Sequence, residues 1–536
     1  MKPAALARLI WLSASIAICC GCGAAPLFRD APPVWQVDDD RDIAEPSERE
    51  YEPKEYFAKV FVLKPIDRLL ELRREQPARN TNALEEVPDS TWFRNRIGVR
   101  RVTPGEAARA VYAGGPPRAP FTITGAKLLG GSQGFLMKDA TGRKFLVKFD
   151  TEENPELETS AGVIVNRIFW TLGYNVPSDH VFNFRKEQLE LDPSATYVDS
   201  LKHVRAFDGH RLDALLFLSP KRADGSIRAF ASQLLDGTPK GGFSADGTRS
   251  DDPNDQVPHE HRRELRGLRV FAAWVGHTDM KEDDSIDVFV ERGGRRYLEH
   301  YLLDFNEALA GHAAEKGRSE DGWEHFIDWE MQTKATFAFG LWKRPWEDVK
   351  ATPWPSIGSF SAEPFEPRAW REAYPYWPFA EMDAADAYWA AKLVMRFDRP
   401  LLTAIVAEGK LSEPAAADYL VRTLLARRDA VGRAYLDAVT ALDDFTLAGR
   451  RLCMTDLSVR YGFAQGGVVE WLNGARVLTT RPLAQDGRVC VLVPMAENYG
   501  IFRMRIRRGA QNRPAMELHF KAGAHARILG LIRVAP

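Results

Sequence analysis

The chain has 536 residues, 45% hydrophobic and 27% charged, an ordinary balance for a globular protein of about two to four structural units. Its formal net charge is -2 and no Lys/Arg block stands out, so neither a global basic field nor a basic tract favours nucleic acid as a partner. Its 14 tryptophans read as core and helix-packing residues rather than a sugar-binding stripe.

Lys2 and Arg8 precede an apolar run from Leu9 to Cys20, then small residues and a polar stretch. A charged start and a short apolar run make an export signal, too short to span a bilayer as a mature helix. Cys19, Cys20 and Cys22 end it, and Gly21 supplies a small residue before Cys22. This resembles a bacterial lipoprotein signal over residues 1–22, with Cys22 as the lipidated residue. That implies a membrane held through a lipid anchor and a place in the cell envelope, periplasmic or outer-surface. The rival is a plain secretory signal with incidental cysteines. With Cys22 lipidated, only Cys453 and Cys490 remain in the mature chain. An oxidising compartment would let them pair, against the alternative of two buried thiols.

Residues 23–60 are rich in Pro, Asp, Glu and Arg and read as a tether. Short helices are expected over 61–115. From 121 to 150, apolar and polar residues alternate through Phe121-Thr-Ile123, Gly134-Phe-Leu-Met137 and Lys144-Phe-Leu-Val-Lys-Phe149, with glycine turns between, a β-hairpin pattern. Pro155 opens a helix with Val163, Ile164, Ile168, Phe169 and Leu172 at helical spacing, closed by Gly173. More strands are expected over 176–235, including Ala214–Leu218 and Ile227–Phe230. A helix follows from about Glu260 to Trp274, then a loop at 277–286 and a hairpin around Gly293-Gly294. Helical patterns dominate 320–448, notably Ala384–Phe397 and Glu413–Leu442. There Trp389, Leu393, Met395 and Phe397 read as core, and Arg427-Arg428 as a solvated face. Alternation returns from about 450, with turns at Gly466-Gly467, Asn473-Gly474 and Asp486-Gly487. The predicted units are 61–235, β-rich; 236–448, helical; and 449–536, a small all-β module.

Four features carry chemistry. Gly130-Gly131-Ser132-Gln133-Gly134 joins two strands, and glycine lets the backbone approach an anion closely with its N–H groups. Lys148 sits in an apolar strand and needs a partner on its own face, which Glu156 or Glu158 could supply. The loop Gly276-His277-Thr278-Asp279-Met280-Lys281-Glu282-Asp283-Asp284 has an Asp-x4-Asp spacing. Asp304 stands just past a strand, where its carboxylate suits Mg²⁺. His259 and His261 do not share a helical face, so they read as helix caps or carboxylate partners rather than zinc ligands with His277.

In this order the four features resemble the HipA-like and phosphatidylinositol-kinase-like branch of the protein-kinase-like superfamily. The chain is also similar to a group of bacterial exported proteins in several longer strings. They are Pro88-Asp-Ser-Thr-Trp-Phe-Arg-Asn-Arg96, Lys148-Phe-Asp150, Gly173-Tyr-Asn-Val-Pro177, Asp251-Asp-Pro-Asn-Asp255, Pro258-His-Glu-His-Arg-Arg-Glu-Leu265, His277-Thr-Asp279 and Tyr301-Leu-Leu-Asp-Phe305. The resemblance spans roughly residues 85–440. It implies an α+β, two-lobed protein-kinase-like fold, a β-rich N-lobe and a helical C-lobe, followed by the small C-terminal all-β module. It implies Mg²⁺ or Mn²⁺ with a nucleotide such as ATP. Gly130, Gly131 and Gly134 would cover the phosphates, Lys148 would contact them, and Glu156 would hold Lys148 with Glu158 in reserve. Asp279 would be the catalytic aspartate, with Asp284 and Asp304 on the metal. Two positions depart from the pattern: Asp284 stands where Asn is expected, and Asn306 where Gly is expected. Two readings therefore stay open: a metal-dependent phosphotransferase, and a non-catalytic, pseudokinase-like envelope scaffold.

Overall fold

A computed structural model describes residues 27–70, 76–111, 114–127, 133–312, 315–339 and 341–533. The expected signal with Cys22, and Gly130 and Gly131, lie outside the described residues. The architecture is mixed α and β. Among the described residues no helix is long and apolar enough to cross a membrane.

The alternating stretches form the first three strands of a seven-stranded sheet: β1 (Phe121–Lys127), β2 (Gly134–Lys138) and β3 (Lys144–Lys148). The others are β4 (Asp179–Phe184), β5 (Leu189–Val198), β6 (Val204–Ala206) and β7 (Ile227–Gln233), in the order β4-β7-β3-β2-β1-β5-β6. Only β1 and β5 are parallel. Phe135, Phe145, Val147 and Phe184 fill the core on one face.

The helix Leu157–Leu172 is buried at every residue but Trp170. A helix apolar all round must be covered all round. It packs against β4 and β7, and against the turn Phe305–Glu307. Its start is tied to the sheet by Asp150, just past β3, whose carboxylate accepts from the backbone N–H of Glu158 (2.9 Å) and Thr159 (3.0 Å) and from Thr159 Oγ1 (2.6 Å). That satisfies donors the helix start would otherwise leave open.

The helices Arg263–Val275, Ala384–Val394, Arg399–Ala407 and Pro414–Tyr435 build the larger core around Trp274 and Trp389. Asp386 pairs with both Arg263 (2.9 Å) and Arg266 (3.2 Å), locking two of these helices together inside the protein. From Leu442 the chain forms a three-stranded sheet and a six-stranded sheet, interrupted by the helical turn Leu457–Arg460. Cys453 and Cys490 face each other on neighbouring strands and are joined as a disulfide.

Three expectations are corrected. Residues 27–60 are not a loose tether over their described length. Ile43 N–H donates to Arg296 O and Arg49 N–H to Lys240 O, while Asp40, Asp42 and Glu45 pair with Arg295, Arg296 and Lys240. The acidic residues that look solvating in sequence have arginine and lysine partners nearly 200 residues or more away. Residues 214–217, expected as strand, belong to the helix Gly209–Phe217, capped by the Asp208 carboxylate on Arg211 N–H. Short apolar runs do not separate strand from helix by periodicity. Arg427 is not solvated: it is buried, donates to the carbonyls of Ala273, Trp274 and Ser361, and lies 3.6 Å from the Phe365 ring centroid.

Candidate functional site

The site forms where the ends of β1–β3 face two loops of the helical part. Lys148 is the last residue of β3, and the strand alternation that buries Val147 on one side sends Lys148 to the other. In register, Gly134 of β2 lies between Lys127 of β1 and Lys148 of β3. A Cβ on Gly134 would stand 1.8 Å from Val147 O, so only glycine permits this approach. Gly134 therefore acts by closing the sheet, and it leaves the two lysines flanking a bare column.

Lys148 Nζ donates to Asp304 Oδ1 at 2.6 Å. Asp304 has left-handed backbone angles, φ 54° and ψ 58°, and starts the turn Phe305–Glu307. Such a conformation persists only where the surroundings over-determine it. Here Phe305 packs against Phe169 (5.0 Å) and His277 (5.8 Å), and Asn306 Nδ2 donates to Glu158 O at 3.1 Å. Asn306 therefore tolerates the glycine position by gripping the helix, and Gly162 leaves room for its amide.

Burial pulls Lys148 toward neutrality, but Asp304, Glu158 and Asp284 outweigh it and hold the ammonium above the ordinary lysine value. Burial pushes Asp304 up, while Lys148, Lys127 and Lys281 outweigh it and hold the carboxyl below the usual range. The Asp304 side chain remains 37% exposed.

Asp279 and Asp284 follow the helix Arg263–Val275, which Gly276 ends in the left-handed region. Lys281 bridges them, donating to Asp279 Oδ2 at 2.6 Å and Asp284 Oδ2 at 3.1 Å. Asp279 Oδ1 is buried and has no hydrogen-bond partner among the described residues. Burial, helped by neighbouring acids and opposed by Lys281, holds both carboxyls above the ordinary value, because two acids share one ammonium. The Asp284 carbonyl accepts from Leu303 N–H at 2.8 Å, which brings this loop beside Asp304. His277 is buried, and desolvation holds it down to about 4, so it stays neutral at ordinary pH.

The sequence-predicted residues thus converge in part. Lys148, Asp304, Asp279 and Asp284 meet, with Glu158 acting on Lys148 through its charge. Glu156 does not hold Lys148. It stands at the helix start with φ 68°, and its Oε2 accepts from Ser412 N–H at 2.8 Å, pinning the helix to the helical part instead. The three histidines do not gather: His259 bonds Asp255 (2.8 Å), His261 meets Arg266 (2.7 Å), and His277 packs between aromatic rings.

Two site residues escaped sequence reasoning. Lys127 ends β1, where burial and then Lys148 press its ammonium below the ordinary lysine value. Its signal was the strand alternation, which places it level with Gly134 and Lys148. Lys281 was the lone cation within an acidic loop.

The residues fit a hard divalent cation that completes its shell on a substrate. Among the described residues no three of His, Cys, Asp and Glu form a ready cage. Mg²⁺ is held through one or two carboxylates plus substrate phosphates; the partly exposed Asp304 can offer one, while both Asp284 oxygens accept from Lys281. Beside Asp279, Thr278 borders a polar cavity of about 120 Å³ lined also by Arg318, Asp321, His325 and Asp328.

No protein-family model and no curated protein matches the sequence. Among solved structures, the chain is similar to a crystal structure of the Golgi casein kinase at 10% identity and a TM-score of 0.29, covering 74% of this chain and 91% of that one. A second, of the Golgi casein kinase with Mn/ADP bound, is similar at 10% identity and a TM-score of 0.28, covering 59% of this chain and 72% of that one. Similarity of this size settles neither fold nor activity.

Proposed function

We propose that this chain is an envelope protein, lipid-anchored through Cys22, with a two-lobed kinase-like body. Its cleft binds a nucleotide such as ATP with Mg²⁺ or Mn²⁺ and transfers a phosphoryl group to a hydroxyl acceptor. The observation that carries the reading is the 2.6 Å contact between Lys148 and Asp304, with Asp279 and Asp284 joined through Lys281 beside it.

Each side chain has a task in that reading. Lys127 and Lys148 hold phosphate oxygens at the ends of β1 and β3. Asp304 and Asp284 would hold the cation, which when bound neutralises charge on the transferring group. Asp279 Oδ1, buried and without a hydrogen-bond partner among the described residues, takes the proton of the acceptor hydroxyl. A carboxyl held above its ordinary value is a stronger base once ionised. The cavity beside Thr278 gives the acceptor a polar approach. The Cys453–Cys490 disulfide supports an oxidising compartment, as export requires.

Calorimetry of the purified chain with ATP and Mn²⁺ tests this. Saturable, metal-dependent binding that Lys148→Met abolishes is expected. No binding of any common nucleotide with either metal removes the proposal.

A second reading rests on Lys281. Its ammonium occupies both acids that a base and a metal ligand would need free. A nucleotide-binding scaffold without transfer would keep that pairing in the bound state. Binding without turnover, in a chain whose Asp279→Asn variant retains full cellular function, selects it.

A further inference from the structure

The charge of the chain is segregated. Residues 442–536 carry 14 Lys and Arg against 7 Asp and Glu, while residues 1–441 carry 58 against 67. The overall figure of -2 conceals a basic C-terminal module on an acidic body.

Part of that charge is arranged on one sheet face. Along the strand Gly500–Arg508, Phe502, Met504 and Ile506 enter the core, and Arg503, Arg505 and Arg507 line the opposite face. Their side chains are 42%, 24% and 39% exposed. Two carboxylates oppose the three cations, Glu517 on Arg503 and Glu470 on Arg505 and Arg507. Elsewhere on the module four more arginines are exposed: Arg476 and Arg481 on the edge strand Arg476–Pro482 of the same sheet, and Arg451 and Arg488 in the three-stranded sheet. The ion pairs among the described residues include none for these four.

The N-terminal segment reaches the same face. Ile501 is in register with His519, and His519 with Gly530, so both share the side of Arg503. Leu27 and Phe28 N–H donate to Tyr499 Oη at 3.1 and 3.2 Å, and the Phe28 ring packs on His519 at 4.8 Å and against Gly530. Asp30 pairs with Lys521 at 2.7 Å and with Arg527. Cys22 precedes Leu27 by five residues, a reach of about 18 Å at full extension.

We infer that the arginine-rich C-terminal module, held beside its anchor by the N-terminal segment, lies against an anionic lipid surface. The inference rests on the lipid-anchor half of the proposed function, not on its catalytic half. An anchor so close to the module leaves it little freedom to turn away. Its positive field acts within about 8–10 Å of the membrane at moderate salt. The acidic body then faces outward, repelled by the same surface.

The test is co-sedimentation of the full chain with phosphatidylcholine vesicles, with and without phosphatidylglycerol. An acyl anchor enters both, so the readout is the difference. Binding at least about 10-fold tighter to the anionic vesicles is expected, weakening as salt rises. The variant Arg451→Ser/Arg476→Ser/Arg481→Ser/Arg488→Ser should lose most of that difference. These side chains are exposed, and an unchanged melting temperature verifies the fold. Equal binding to both vesicles, or a preference that the variant retains, overturns the inference. So does stronger capture by a soluble polyanion at equal charge, which would assign the module to a polymer. Mass spectrometry showing Cys22 without lipid sinks the anchor separately.

Discussion

Lys148 and Asp304 lie 156 residues apart in sequence, and their Nζ and Oδ1 atoms lie 2.6 Å apart. The contact fastens the end of β3 to the turn that follows the strand Arg295–Leu302. Each group moves the other away from neutrality: Asp304 raises Lys148, and Lys148 lowers Asp304. Asp304→Asn leaves a buried ammonium with weaker support. It should cost about 2 kcal/mol of unfolding free energy, discounted from a fully buried pair because Asp304 is partly open. The double variant Lys148→Met/Asp304→Asn should recover most of that stability in urea melts while nucleotide binding stays lost.

Asp279 should matter for transfer and little for binding. Asp279→Asn keeps the shape and the loop but removes the base. Phosphoryl transfer should fall about 10²- to 10⁴-fold, with nucleotide affinity changed by less than about threefold. Single-turnover assays beside calorimetry separate the two effects.

Lys281 competes with any cation for Asp279 and Asp284. Lys281→Gln should raise the affinity of the nucleotide-free chain for Mn²⁺ by about 10-fold, read by calorimetry without nucleotide. An unchanged affinity would mean that the two acids are not available to metal even when released.

Stability should depend on pH through Asp179, a group outside the candidate site. Burial pushes its carboxyl up to about 7, although Asn166 Nδ2 donates to it at 2.8 Å. Its unfolded value is near 4. The folded chain therefore holds a proton that the unfolded chain releases between these values. The stability from that proton is fully present below about pH 4 and is lost as pH rises through 7. Melting curves from pH 5 to 8 should show Asp179→Asn gaining on the wild type as pH increases, by at most about 3 kcal/mol over that window.

The Cys453–Cys490 bond closes a separation of 37 residues. Alkylation of the denatured, unreduced mature chain should find neither of these thiols free. Reduction should lower the stability of the C-terminal module by about 3–4 kcal/mol on loop-entropy grounds.

Much of the site was legible because its chemistry is local. Lys148 at the end of an alternating strand, the Asp279–Asp284 loop after a helix, and Asp304 past a strand are each written in a few consecutive residues. The partner of Lys148 was not legible. Glu156 and Glu158 are two residues apart, and only the turn of the helix start decides which one faces the lysine. The left-handed angle at Glu156 sends its carboxylate to Ser412, and Asp304 takes the ammonium instead.

The sequence by itself determined the strands and helices with strong periodicity, the acidic loops, and the presence of two cysteines in the C-terminal segment. These follow from residue type and spacing, which act over one or two turns of chain. Only the tertiary structure decided that residues 27–60 bind along the body, that Arg427 is buried against carbonyls and rings, and that Lys127 stands level with Lys148. Those outcomes depend on which distant surfaces meet. A charged side chain in sequence looks the same whether water or a partner hundreds of residues away satisfies it.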